Sequence, residues 1–439
     1  MEKIHIVTLG CSKNTVDTEY MLGLLQSKYT ITSNIEDSDI VIINTCTFIN
    51  DAKEESISSI FEAVSLKKEG IIKKIVLAGC LSQRYAEELV LEIPEIDMFI
   101  GTSNYDEIID LLDKDSKVHI EDPSREIAEH IPRVLTESDY YAYVKVSEGC
   151  DNRCTYCVIP KVRGKHRSRR IEDILEEVTT LTEQGITEII IIAQDTSKYG
   201  IDLYGKKMLS ELLNEISKIE GVKWIRVHYI YPEDFDNALL DEFASNKKLL
   251  NYFEIPIQHI NDTVLKRMNR KTNKAQIMNL IDKIRNRMPD AIIRTTLIVG
   301  FPGETEEQYM ELRQFVEDYQ FDRLGVFAYS EEEDTPAYKL PGKIPEEIKE
   351  KRREEVMLIQ QAITFNKNKK LIGVGIECIV DSLTDENQYI GRTYMDSPDI
   401  DGVIYFESTE NLKPGDVIHV SIIDYMEYDL IGVYNESSK

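Results

Sequence analysis

No apolar run in this 439-residue chain approaches the roughly 20 residues that a membrane-spanning helix needs, so none is expected. The opening MEKIHIVTLG runs directly into a strand pattern, without the features of a signal or transit peptide, and the expected location is cytoplasmic. Basic charge is also short: 52 Lys and Arg stand against 79 Asp and Glu, a net of −27. Such a chain repels nucleic acid unless it keeps a local basic patch, and it favours a basic partner. Without a secretory context, its seven cysteines are not expected to form disulfides and read as metal ligands in a reducing compartment. Hydrophobic residues make up 42%, enough for real cores, and the length points to two or three domains.

The chemistry is concentrated in Glu148-Gly149-Cys150-Asp151-Asn152-Arg153-Cys154-Thr155-Tyr156-Cys157, straight after an apolar strand pattern over 141–146. Three thiolates at this spacing can converge on zinc or on an iron–sulfur cluster. Structural zinc requires four closed ligands, and the only nearby fourth candidate is His166. A cube held by three cysteines leaves one iron open for chemistry. The run resembles the signature of the radical S-adenosylmethionine (SAM) superfamily, including Tyr156 before the last cysteine. That resemblance implies that Cys150, Cys154 and Cys157 hold a [4Fe-4S] cluster whose open iron binds SAM. It further implies that an electron passed through the cluster cleaves SAM to a 5′-deoxyadenosyl radical.

Residues 1–113 alternate strands at 4–9, 40–43, 75–78 and 98–100 with helices near 15–26, 52–66, 83–91 and 105–112, which predicts an open parallel α/β sheet. Cys11, Cys46 and Cys80 each fall just past the carboxyl end of a strand, where such sheets place ligands, and three in one phase point to a shared site. A connector at 114–135 with Pro123 and Pro132 reads as a linker. Within 136–370, strands at 141–146, 188–193, 224–229, 252–257, 292–299 and 324–328 predict a partial (β/α)6 barrel with its site at the strand C-termini. Gln194-Asp195, Gln258-His259 and the 300–304 turn end three of these strands. Gly300, Gly303 and Glu304 are expected near SAM, because glycine amides before a helix can receive a carboxylate. Tyr156, Gln194, Asp195, Gln258 and Arg294 complete the candidate cofactor contacts, whereas His259 alone reads as an ordinary loop residue.

The dense basic run at 163–170 could be a solvated face, a nucleic-acid contact, or a counter-charge to a cluster. Residues 371–439 turn to short β runs at 376–380, 389–394, 403–406 and 417–423, a small antiparallel barrel broken by turns that include Asp385-Glu386-Asn387. Cys378 lies inside a strand pattern and reads as inert core.

The combination resembles the methylthiotransferase family, whose C-terminal module is called a TRAM domain. One branch modifies tRNA adenosine, and the other methylthiolates the β-carbon of an aspartate on small-subunit ribosomal protein S-twelve. The stretches Leu9-Gly10-Cys11-Ser12-Lys13-Asn14 and 193–200, with Gly391-Arg392-Thr393 and Ile400-Asp401-Gly402, are similar to the ribosomal-protein branch; Ile260-Asn261 departs from it. Charge favours the same branch. Residues 371–439 carry 14 Asp and Glu against 3 Lys and Arg, a net of −11, which would repel RNA and attract a basic protein. Asp396, Asp399 and Asp401 are expected among the steering charges. The resemblance also implies a second [4Fe-4S] cluster on Cys11, Cys46 and Cys80, a sulfur donor, and an electron donor such as a flavodoxin or ferredoxin. A non-catalytic iron–sulfur carrier is the contrasting reading, disfavoured because carriers close every iron with a fourth cysteine.

Overall fold

The computed structural model describes residues 1–384 and 388–434, so the expected Asp385-Glu386-Asn387 turn lies outside the described residues. The N-terminal sheet is wholly parallel. Its strands are β1 (Lys3–Thr8), β2 (Thr30–Ile31), β3 (Ile40–Thr45), β4 (Lys74–Ala78), β5 (Met98–Ile100) and β6 (Val118–His119), in the order β2-β1-β3-β4-β5-β6. Both faces are covered, as parallel strands require. Ile40 and Ile42 of β3 join one core with Val16, Met21 and Ile108, whereas Val41 and Ile43 join another with Ile60, Ala63 and Leu81. The helices are α1 (Ser12–Leu25), α2 (Asn50–Lys68), α3 (Gly79–Glu92) and α4 (Ile108–Leu112). Strands β2 and β6 were not expected, because two residues are too few for an alternating pattern to register.

The connector at 114–135 is not a free linker. It supplies β6, and it then lies on α1 so closely that a Cβ on Gly23 would stand 1.9 Å from the Pro132 carbonyl oxygen.

The central sheet contains β7 (Tyr141–Lys145), β10 (Glu188–Ile192), β11 (Trp224–Val227), β12 (Leu249–Glu254), β13 (Ile292–Val299) and β14 (Arg323–Ala328), all parallel and laid side by side in chain order. This is the expected six-stranded partial barrel. A two-stranded antiparallel ribbon, β8 (Ser147–Glu148) with β9 (Arg167–Ser168), clasps the base of the cysteine loop. Within that loop, α5 (Ile159–Val162) follows the last cysteine.

At the C-terminus, β15 (Gly375–Leu383), β16 (Tyr389–Thr393), β17 (Ile404–Glu407), β18 (Val417–Tyr425) and β19 (Leu430–Tyr434) close a barrel in the order β15-β16-β17-β19-β18. Its pairs are antiparallel except β17 with β19, which run parallel and complete the closure. Cys378 is fully buried inside β15.

The segment 393–401 between β16 and β17 enters the central sheet. Asp396 accepts from Arg323 (Nε, 3.0 Å), Asp401 from Tyr252 (2.6 Å) and Arg294 (3.2 Å), and Ser397 Oγ lies 3.0 Å from His228 Nε2. Glu188 and Arg323 open their strands, and Tyr252 is level with Ile292, the first residue of β13. The segment therefore closes the end of the sheet opposite the cysteines. This corrects the expectation for the steering charges: Asp396 is 2% exposed, and both it and Asp401 are spent on barrel cations.

Candidate active site

The cysteine loop begins with a turn that requires glycine. Gly149 has φ +78°, and a Cβ there would stand 2.1 Å from the Lys165 carbonyl oxygen. Gly149→Ala is expected to cost about 1–3 kcal/mol and to reduce the iron held by Cys150, Cys154 and Cys157; thermal unfolding and iron analysis of the purified variant check both. Beyond the turn, Cys150 N–H donates to Gly164 O (3.1 Å), Thr155 N–H to Met268 O (3.0 Å) and Asn269 Nδ2 to Arg153 O (2.9 Å). The loop is thus fastened along its length.

Cys150 and Cys154 are buried and Cys157 is half-buried. Burial pushes the Cys150 thiol up to about 12 and raises Cys157 as well, and in both the neighbouring Cys154 adds to the shift. Arg270 Nη1 approaches Cys154 Sγ at 3.9 Å, and Ile159 N–H donates to Cys157 Sγ at 3.5 Å. Such N–H donors to sulfur support and tune an iron–sulfur cluster. Tyr156 packs against the apolar group of Val264, Met268, Phe301 and Tyr329.

The second triplet assembles at one sheet edge. Cys11 caps α1, Cys46 follows β3, and Cys80 sits in the first turn of α3. A Cβ on Gly10 would be 3.1 Å from Cys46 Sγ. Burial pushes the Cys46 thiol up to about 12, with Cys11 and then Cys80 adding to it. Burial thus favours the thiol form of Cys46, Cys80, Cys150 and Cys157 in the metal-free protein, so loading must displace protons. The side chain of Cys80 packs on Val158 and Val162, against the helix that follows Cys157.

One side chain ties Cys80 of the N-terminal triplet to the base of the cysteine loop. Arg163 is 2% exposed. Its Nε donates to Cys80 Sγ (3.4 Å), Nη1 to Asp17 (2.6 Å) and Glu148 (3.4 Å), and Nη2 to Asn14 (2.6 Å). Lys145 completes the hub with Asp17 (2.5 Å) and Glu148 (2.8 Å). Burial would raise the Glu148 carboxyl, but Lys145 and Arg163 outweigh it and hold it at about 2. Arg169 is buried with Glu129 and Glu177. The basic run is therefore mostly an internal lattice of ion pairs; only Lys165 and Arg170 are exposed.

Other candidates fared differently. Asp195 accepts from Asn152 of the cysteine loop (2.7 Å) and Ser197 (2.5 Å), which places it beside the central triplet. Gln194 donates to Glu148 (2.5 Å), and its Oε1 is buried without a partner. Gln258 takes φ +69° and donates its N–H to Thr296 O (2.8 Å). Four of the candidate SAM contacts are taken up by other partners. The Gly300 amide is taken by Glu304 (2.5 Å), and the Gly303 amide by Gly342 O (2.7 Å). Glu304 is itself buried among His259 (3.0 Å) and Arg352 (2.8 Å), so the turn is a packing device. Arg294 is spent on Glu254 (2.8 Å) and Asp401. Ile260 is core and Asn261 caps the following helix, which accounts for that departure. His166 contacts Ser168 (3.2 Å) and Asp202 (3.7 Å) instead of the cysteines. Among the described residues no three His, Cys, Asp or Glu side chains gather tightly enough to hold a single metal ion. Two sets of three thiols without a fourth cysteine fit clusters with an open iron better than closed zinc. The counter-charge reading of the 163–170 run fits Arg163, whereas sequence reasoning missed Arg270 and Lys13, because a buried cation looks like a surface one until its partners are known.

Residues 144–316 match the Radical SAM superfamily, residues 3–101 the Uncharacterized protein family UPF0004, and residues 372–434 the TRAM domain. The first implies a [4Fe-4S] cluster and SAM. The chain is 50% identical to "Ribosomal protein uS12 methylthiotransferase RimO" of Clostridioides difficile over 98% of both chains. It is also 50% identical to the protein of that name from Clostridium botulinum strain Hall, over 100% of both. The solved radical SAM methyltransferase TsrM from Kitasatospora setae shares the fold at TM-score 0.57 and 13% identity, covering 85% of this chain and 79% of that one. Full-length identity at this level, on three matching domains, makes this chain a transferase that belongs to the RimO family of radical SAM methylthiotransferases.

Proposed function

We propose that this enzyme methylthiolates the β-carbon of an aspartate on small-subunit ribosomal protein S-twelve, in the cytoplasm. In this reading Cys150, Cys154 and Cys157 hold the SAM-binding [4Fe-4S] cluster, and Cys11, Cys46 and Cys80 hold a second. When bound, these groups supply a 5′-deoxyadenosyl radical for hydrogen abstraction, the sulfur to be inserted, and, from a second SAM, the methyl group. The observation that carries the reading is that Cys80 of the N-terminal set is held by Arg163 and packed on the segment that follows Cys157. The chain's own residues orient the site: Arg270 and the Ile159 amide support the central sulfurs, Arg163 supports Cys80, and Asn152 ties Asp195 to the cysteine loop. A flavodoxin or ferredoxin, and a separate sulfur donor, complete the reaction.

The tRNA alternative loses its main support, since Arg163 and Arg169 of the basic run are buried in ion pairs and cannot grip phosphate. Mass spectrometry of ribosomal protein and tRNA from a deletion strain tests the assignment. An unmodified aspartate with normal tRNA is expected, and the reverse overturns it.

Exposed acids of the C-terminal barrel remain available to steer a basic substrate, among them Glu407, Asp424 and Glu427. Reversing these three to lysine should slow association with the ribosomal protein about tenfold at low salt, an effect that fades as salt rises. Stopped-flow binding across a salt series measures it. An association rate that ignores both charge and salt removes the steering role.

A further inference from the structure

Lys13 stands in the first turn of α1, two residues after Cys11, and is 5% exposed. Its ammonium lies 3.1 Å from the centroid of the Tyr229 ring. Among the described residues, no hydrogen bond or ion pair takes up any of its protons. The neighbouring buried cations are all spent: Lys145 on Asp17 and Glu148, Arg163 on the same two carboxylates, Arg294 on Glu254 and Asp401. Burying an ammonium without a hydrogen-bonded anion is unfavourable, so an isolated one marks a place where an anion is to be received.

The setting supports that reading. Tyr229 follows β11, at the strand end where the site lies, and holds φ +61°, a conformation bulky residues rarely adopt. Its ring steadies the ammonium through its π face and leaves the N–H groups free. Next to Cys11 in α1 and over the Tyr229 ring, with the Glu254 and Glu148 carboxylates acting on its charge, Lys13 stands at the junction of the N-terminal triplet and the barrel interior.

We infer that Lys13 is a specificity-determining residue that receives the carboxylate of the side chain to be modified. The inference rests on the proposed function and deepens it. In an aspartate the reacting β-carbon is bonded directly to the carboxylate carbon. A β-carbon that must reach both clusters therefore carries its carboxylate into the space between them, where Lys13 waits. Asparagine has the same shape and no charge, so the ammonium is what distinguishes the two.

The test uses full-length, reconstituted enzyme and two synthetic peptides of the basic ribosomal-protein segment, one with the target aspartate and one with asparagine in its place. The wild type is expected to bind the aspartate peptide about 10- to 100-fold more tightly, as a charge-assisted hydrogen bond allows. In Lys13→Met that preference should collapse to within about twofold, with iron content and SAM affinity unchanged. Lys13→Arg should restore part of it. Tyr229→Leu, which frees the ammonium without removing it, should weaken the preference less and serves if Lys13→Met does not fold. A Lys13→Met enzyme that still discriminates aspartate from asparagine overturns the inference. So does one that loses iron or SAM instead, which would make Lys13 a counter-charge to the cofactors. A wild type that binds neither peptide strikes at the proposed function itself, and the inference falls with it.

Discussion

Protein lacking Cys150, Cys154 and Cys157 together is expected to hold about four irons after anaerobic reconstitution, where the wild type holds about eight. It should lose SAM cleavage completely. Protein lacking Cys11, Cys46 and Cys80 should also hold about four, yet retain SAM cleavage and lose sulfur insertion. The asymmetry follows from where the sulfurs sit. The central triplet lies in the loop fastened to 267–270, with Asp195 beside it, whereas the N-terminal triplet sits on the edge of a different sheet. Iron analysis, spectra of the reduced protein and 5′-deoxyadenosine production separate the outcomes. An N-terminal triple variant that keeps its full iron content would end the two-cluster reading.

Arg163→Met is expected to destabilise the metal-free protein by about 3 kcal/mol, the low end for breaking a buried ion pair. The loss is moderated because Lys145 still faces Asp17 and Glu148. It remains large because Asn14 and Cys80 lose their donor and the N-terminal domain keeps only weaker polar ties to the cysteine loop, such as Thr102 with the Val162 carbonyl. Exposed Lys165, two residues away in the same run, is the control: Lys165→Met should change stability by no more than about 0.5 kcal/mol. Denaturant unfolding compares them. The Arg163 variant should also lose iron from the N-terminal triplet first and keep SAM cleavage. Equal stability of the two variants would show that Arg163 contributes no tie between the domains.

Much of the molecule was legible from the residues alone. The six central strands appear within a few residues of their expected positions, because a buried parallel strand is a near-continuous apolar run such as Glu188–Ile192, and helices separate the runs. The three N-terminal cysteines could be read as one set because each ends a strand of the same sheet, so that strand order alone brings them to one edge. The Cys-x3-Cys-x2-Cys spacing pointed to zinc or an iron–sulfur cluster, and its resemblance to the radical SAM signature implied the cofactor. These features are local, or follow from periodicity.

What the tertiary structure decided concerns charge. The sequence shows that Arg163, Arg169, Asp396 and Asp401 are ionisable, but whether each faces water or a partner depends on segments that only the fold brings together, more than a hundred positions apart for Arg163 and Asn14 or Arg294 and Asp401. A run read as a possible nucleic-acid surface became an internal lattice, and two of the three acids read as steering charges, Asp396 and Asp401, became the floor of the barrel, while Asp399 stays exposed. The 300–304 turn, whose glycines suggested an open cradle, is filled by its own Glu304. Lys13 is the converse case: an ordinary first-turn lysine in the sequence, it is left by the fold as a buried cation over Tyr229. Apolar periodicity is written along the chain, whereas the pairing of charges is settled only when distant segments meet, because a Coulomb interaction depends on separation and burial and not on order in sequence.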